Sequence, residues 1–174
     1  MLSEEARKKG AILVVDATQS VGAIPINVEQ NGVDVLVAGS YKWLCGPFGS
    51  AFMYIRHNLA KRLEPGLVGF RSHKDMWDLD ATRLRYREDA SKFEFSTLAF
   101  GCILGLTESL KYLNRIGIDN IYKYNMFLTD HLIEGLKKLD AKIISTDQCI
   151  YRSPIITAKF KNKDSKVKNC FDYS

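Results

Sequence analysis

The sequence predicts an α/β fold: part of a large domain built on a mostly parallel sheet, then the start of a smaller α+β domain. Three observations carry that prediction. Two short apolar, β-branched runs, Ala11-Ile-Leu-Val-Val15 and Val33-Asp-Val-Leu-Val-Ala38, each run into a polar segment. Continuous runs of this kind suit strands covered on both faces, as in parallel sheets. After residue 100 the pattern changes to long stripes of helical period, and a composition shift near 113–118 separates residues 1–112 from 113–174.

Taken in order, residues 3–9 read as the end of a helix closed by Gly10. The first strand ends at Asp16, and Gly22, Pro25 and Gly32 leave room for a short crossover. The second strand runs into Gly39-Ser-Tyr-Lys42. Gly46-Pro-Phe-Gly49 is a turn signal, and Ser50–Ile55 follows as a third strand. Residues 64–95 have no clear period and read as an irregular excursion. Ile103, Leu106, Leu110 and Leu113 form one helical stripe; Ile121, Leu128, Leu132, Leu136 and Leu139 form another beyond Gly117. Both stripes are expected to face a core. Ala141–Ser145 and Ile155–Phe160 are strand-like. So few strands leave a parallel sheet short of neighbours, so the chain reads as incomplete. Open edges and apolar faces then predict aggregation or dependence on a partner.

Composition narrows the function classes. The 174 residues are 46% hydrophobic and 26% charged, which excludes disordered, collagen-like and coiled-coil chains. No apolar run approaches the length of a membrane span, and the charged start is no signal peptide, so a cytoplasmic protein is expected. The net charge is +5, but residues 159–168, with five lysines against Asp164, supply +4 of it. A basic nucleic-acid-binding module is therefore a weak alternative, since the run reads as a solvated tail with only Phe160 as aromatic company. Cys45, Cys102, Cys149 and Cys170 lie 57, 47 and 21 residues apart, and His57, His73 and His131 are scattered. That spacing indicates neither a metal site nor a disulfide framework.

In open α/β sheets ligands bind at the carboxyl ends of strands. Two consecutive strands end in Asp16-Ala-Thr-Gln19 and Ser40-Tyr41-Lys42, so an acid, an amide and an amine are expected at one rim. Singly each is weak evidence: Asp16 suits a turn or cap, and Lys42 suits a surface. Together they are specific. Asp16-Ala-Thr-Gln-Ser-Val-Gly22, a Gly-Val-Asp-Val strand, Ser-Tyr-Lys-Trp-Leu and Gly-Pro-Phe-Gly follow one another, with 26 residues from Asp16 to Lys42. This segment resembles the cofactor-lysine region of class V aminotransferase-like enzymes. These are fold-type I pyridoxal-phosphate (PLP) enzymes that include cysteine desulfurases, selenocysteine lyases, isopenicillin epimerase-like proteins and, more distantly, kynureninases. Phe93-Glu-Phe-Ser-Thr97 resembles the family's F-E-x-G-T segment, with Ser96 where glycine is usual.

The resemblance implies a role for each residue. PLP is an electron sink for charge at an amino acid's Cα, and it works only with a protonated ring nitrogen. A buried carboxylate beside that nitrogen keeps it protonated, the role implied for Asp16. Gln19 would donate to the phenolic oxygen, and its presence in place of His tilts the chain away from kynureninases. Lys42 would form the Schiff base and shuttle the Cα proton, its amine kept neutral by apolar neighbours and the cationic ring. Tyr41, and more weakly Ser40, would contact the cofactor phosphate. Thr97 would reach a partner's cofactor phosphate across a homodimer; its bland alternative is a helix cap before Leu98. The family's phosphate loop would lie upstream, and its carboxylate-clamping arginine and persulfide cysteine downstream. Cys170 sits in no matching context and Cys45 reads as packing. An inactive fragment, or one half of a split enzyme completed by an N-terminal partner, is the alternative reading.

Overall fold

The run Val35-Leu-Val-Ala-Gly39 places apolar side chains on both faces of one strand, and both faces are covered. The structure, a computed structural model, describes residues 2–80, 82–146, 148 and 151–160. The chain divides into two units after Ile118.

In the first unit, α1 (Leu2–Lys8) leads into β1 (Val14–Asp16), which pairs in parallel with β2 (Val35–Gly39). On the other side of β2 lies β3 (Ala51–Ile55), antiparallel, with Gly39 opposite Ala51 and Val35 opposite Ile55. Over these three strands one pair is parallel and the other antiparallel. The reason is length: residues 40–50 are too few for a parallel crossover, which needs about a dozen or more residues, so the chain turns back beside the strand it left.

Leu36 and Ala38 pack with Ala17 and Val33 on one face of β2. Val35 packs with Ile55 and with Leu59 and Ala60 of α2 (His57–Arg62) on the other. Only this middle strand is covered as the sequence predicts. Val14 of β1 is 61% exposed, and Phe52 and Met53 of β3 are also exposed.

Residues 64–95 are irregular, as their lack of period implies. Among their described residues they hold two short 3-10 turns, Phe70–Ser72 and Ala90–Phe93, and a bridge between His73 and Tyr86. Local carboxylates close their turns: Asp75, Asp80 and Asp89 each accept from the backbone N–H two residues on. Arg71 and Glu94 form an ion pair of 2.8 Å across the segment.

α3 (Phe100–Ile116) buries Leu106 and Leu113, whereas Ile103 and Leu110 of the same stripe stay partly exposed. The helix rests on the turn after β2. A methyl group on Gly105 would come within 2.6 Å of the Pro47 ring, and the Ser109 hydroxyl donates to the Cys45 carbonyl at 2.8 Å.

α4 (Ile118–Lys138) is followed by β4 (Lys142–Ile143), antiparallel to β5 (Ala158–Lys159). Here the core assignment from the leucine stripe is corrected. Met126, Thr129 and Ile133 are the buried side chains, while Leu128, Leu132 and Leu139 are exposed. α4 carries apolar residues on more than one face, and periodicity alone does not say which face finds a neighbour. Most of the lysine run (161, 163, 166 and 168), with Cys149 and Cys170, lies outside the described residues. Among the described residues no helix is long and apolar enough to cross a membrane, and no group of His, Cys, Asp and Glu could hold a metal ion.

Candidate functional site

Parallel pairing of β1 and β2 brings two motifs to one rim. Asp16 pairs with Val37, so the acid at the end of β1 lies two residues short of the end of β2, with Lys42 three residues further on. The chain leaves β1 in a turn whose first contact is internal to the motif: the Thr18 backbone N–H donates to the Asp16 carboxylate at 2.9 Å. The Thr18 hydroxyl then reaches across to β2 and accepts from the Gly39 N–H at 3.1 Å. One residue therefore ties the acid's strand to the lysine's strand.

The glycine that ends the first motif has a packing reason. Gly22 has φ +93°, and a methyl group there would sit 2.7 Å from the Trp43 carbonyl oxygen. Only glycine allows the turn after β1 to press against the backbone directly after Lys42. Gly39 is constrained in the same way by a side chain, since a methyl there would lie 2.7 Å from the Tyr41 ring. That ring stacks on Phe48 with centroids 5.3 Å apart, and the Lys42 ammonium lies 5.9 Å from its centroid.

Asp16, Gln19, Tyr41 and Lys42 are all exposed, as is Thr97. This corrects two expectations: Asp16 is not a buried carboxylate, and Lys42 is not desolvated by the apolar residues beside it. Asp16 is held ionised by other means. The Thr18 hydroxyl lowers its carboxyl below the usual range most strongly, the Thr18 backbone N–H adds to this, and the Lys42 charge contributes less.

Ser40 is corrected more fully. It is completely buried, and its hydroxyl is committed to the turn that follows, within 2.5 Å of the Pro47 carbonyl and 2.9 Å of the Ser50 carbonyl. It shapes the loop that carries Lys42 and offers nothing to a ligand at the rim. For Thr97 the structure removes the helix-cap alternative. α3 begins at Phe100 after Ala99, with no side-chain cap. Sequence reasoning quoted Thr18 inside the motif without giving it a role. Its signal was a hydroxyl two residues after an acid, which suits an Asx-type turn.

The comparisons with known proteins agree on one family. The family model for aminotransferase class V matches residues 1–170. An uncharacterised aminotransferase of Bacillus subtilis is 38% identical over 69% of this chain and 31% of its own length. A probable cysteine desulfurase of Pyrococcus abyssi is 33% identical over 80% of this chain and 34% of its own. Among solved structures, the apo cysteine desulfurase of Thermococcus onnurineus superposes with a TM-score of 0.81 at 28% identity, over 93% of this chain and 40% of that one. The cystine C-S lyase C-DES, in complex with its product cysteine persulfide, has a TM-score of 0.70 at 26% identity, over 79% of this chain and 36% of that one. The chain therefore spans roughly a third of the relatives' length in sequence and two-fifths in structure. On the extent of the family match and the identity of these relatives, the chain belongs to the aminotransferase class V family.

Proposed function

We propose that this chain carries the lysine-bearing half of a pyridoxal-phosphate site, in an enzyme acting on an amino acid. The observation that supports it most is the joining of Asp16 to Gly39 through Thr18, which sets an ionised carboxylate and a free amine on adjacent strand ends. The donor set fits the cofactor's functional groups. Asp16 is an anion for a cationic ring nitrogen, the Gln19 amide a donor for the phenolic oxygen, and Lys42 an amine for the aldehyde. The Tyr41 hydroxyl is a donor for the phosphate, and Thr97 serves the phosphate of a second copy's cofactor in a homodimer. When bound, the cofactor would supply an electron sink for charge at the substrate's Cα. Asp16 keeps the ring nitrogen's proton in place by charge pairing. Lys42 holds the cofactor and carries the Cα proton; its lack of an ion pair among the described residues leaves the amine available. In this reading residues 1–112 are the back half of the cofactor domain and 113–174 the beginning of the small domain.

Absorption spectra of the purified chain with added PLP, before and after borohydride, test this reading. A yellow species that reduction fixes covalently at Lys42, and that Lys42→Ala loses, is expected. No specific adduct in a folded sample would overturn it.

The exposed outer strands support a second reading, of a chain that works only when completed by an N-terminal half. β1 and β3 leave Val14, Phe52 and Met53 open, and Phe48 is 80% exposed beside Tyr41. Sedimentation of the chain alone is then expected to show self-association; a monomer that melts cooperatively would refute this.

A further inference from the structure

We propose that the chain has a second ligand site, at the opposite end of β2 from Lys42, for a small organic molecule bearing a phosphate group. A cavity of about 460 Å³ opens between the end of α2 and segment 86–92. Four cations line it, Lys61, Arg62, Arg87 and Lys92, against two carboxylates, Glu64 and Glu88. Among the described residues neither glutamate pairs with any of the four.

Lys92 is the telling residue. It is 3% exposed, with no ion-pair partner among the described residues, and its ammonium lies 5.6 Å from the centroid of the Phe93 ring. Lysine is almost never this buried unless it is paired. Arg87 repeats the pattern in the same cavity, its Nε being buried without an acceptor. Buried donors in native proteins are rarely left unsatisfied; an anion between these side chains would give the Arg87 Nε an acceptor and the Lys92 ammonium an opposite charge.

Packing rather than charge holds Lys92 there. Ala90 and Phe93, two residues before it and one after it, pack against the cluster of Val35, Ile55, Leu59 and Ala60. The core thus fixes the turn, and the lysine is carried in with it. The location is separate from the strand-end rim, because β3 sets Ile55, and hence the start of α2, beside Val35.

The chemistry selects the ligand class. Arginine forks and a lysine point charge suit phosphate oxygens. The volume is that of a small-molecule pocket rather than a lone ion, and Leu63 and Tyr86 give it an apolar wall for an organic body.

Calorimetric titration of the full chain with glycerol 3-phosphate, without PLP, tests the proposal. Inorganic phosphate and glycerol serve as the two parts of the probe. The monoester is expected to bind more tightly than phosphate, and glycerol not at all. Lys92→Met should weaken binding about tenfold or more, whereas Lys42→Ala and the exposed Lys123→Ala should leave it unchanged. Lys92→Met removes a buried charge at similar length, so without ligand it should melt above the parent and gain less from the monoester. If that variant does not fold, Lys61→Ala with Arg62→Ala, both on the exposed end of α2, should weaken binding instead. Absence of binding, binding unchanged in both variants, or an equal loss in Lys123→Ala overturns the proposal. Because Lys42→Ala is expected to leave this site intact, its outcome is independent of the PLP reading.

Discussion

At the Gly39 end of β2 the charged groups, Asp16 and Lys42, are exposed, and tight backbone contacts fix where they stand. At the Val35 end a lysine is buried beside Phe93, in a cavity that it shares with three other cations. The first end combines contacts local in the chain, a turn hydrogen bond and a tyrosine over a glycine, with two that join β1's turn to β2's end, Thr18 to Gly39 and Gly22 to the Trp43 carbonyl. The second end was built by segments far apart in the chain, α2 and the turn Ala90–Phe93, meeting over a shared cluster. The contrast shows that a chemical motif can sit on the surface and still be held rigidly, because the backbone beneath it is what is packed. It also shows that burial can fall on a charged residue as a consequence of its neighbours.

The largest effect expected at the rim is that of Lys42→Ala, which should remove all borohydride-fixed PLP while leaving the phosphate monoester site intact. Loss of both would mean that the two ends are not separate. Gly22→Ala comes next. Its methyl would meet the Trp43 carbonyl at 2.7 Å in a left-handed conformation, so a cost of roughly 2–4 kcal/mol in urea unfolding is expected. Gly10→Ala is the matched control. It shares a positive φ, at +65°, but a methyl there meets nothing within 4 Å, so its cost should stay near 1 kcal/mol. Similar values for the two would show that the contact with Trp43 does not matter. Ser40→Ala should cost about 1 kcal/mol, since it removes one side-chain hydrogen bond from the loop, while the Pro47 carbonyl keeps the Ser50 hydroxyl and the Ser50 carbonyl keeps the Ser40 backbone N–H. An unchanged urea midpoint would place Ser40 outside the loop's framework.

The smallest effect is a titration. Thr18 hydrogen bonds, foremost that of its hydroxyl, depress the Asp16 carboxyl in the folded chain. The stabilisation they supply is present above the unfolded value and is lost as the pH falls through the lowered folded value. Thr18→Val removes the hydroxyl but keeps the backbone bond, so the Asp16 midpoint should move up toward the unfolded value and less stability should be lost on acidification. Carboxyl NMR titration reads this directly. A midpoint that stays in place would remove Thr18 from its bridging role, whereas Thr18→Ser should preserve the parent value.

Much of the fold's outline was legible because it depends on local period. The apolar runs gave β1 and β2 within a few residues, the turn signal gave β3, and the stripes gave α3 and α4. The direction of β3 was not legible. Strand direction depends on how far the connection must travel, and the short segment 40–50 turned β3 back. The face that α4 buries was missed for a related reason. Leu128 and Met126 are equally apolar, and only a neighbour in space distinguishes them.

By itself the sequence determined which residues could carry chemistry, because Asp16, Gln19, Tyr41 and Lys42 lie in motifs whose spacing fixes them to two adjacent strand ends. Only the tertiary structure decided the surroundings of each. It turned Ser40 inward, left Asp16 and Lys42 open to solvent, and buried Lys92 beside an unsatisfied arginine. Side-chain identity and spacing are properties of a stretch of chain, whereas burial and partnership depend on segments tens of residues apart meeting. A linear pattern holds no record of that meeting.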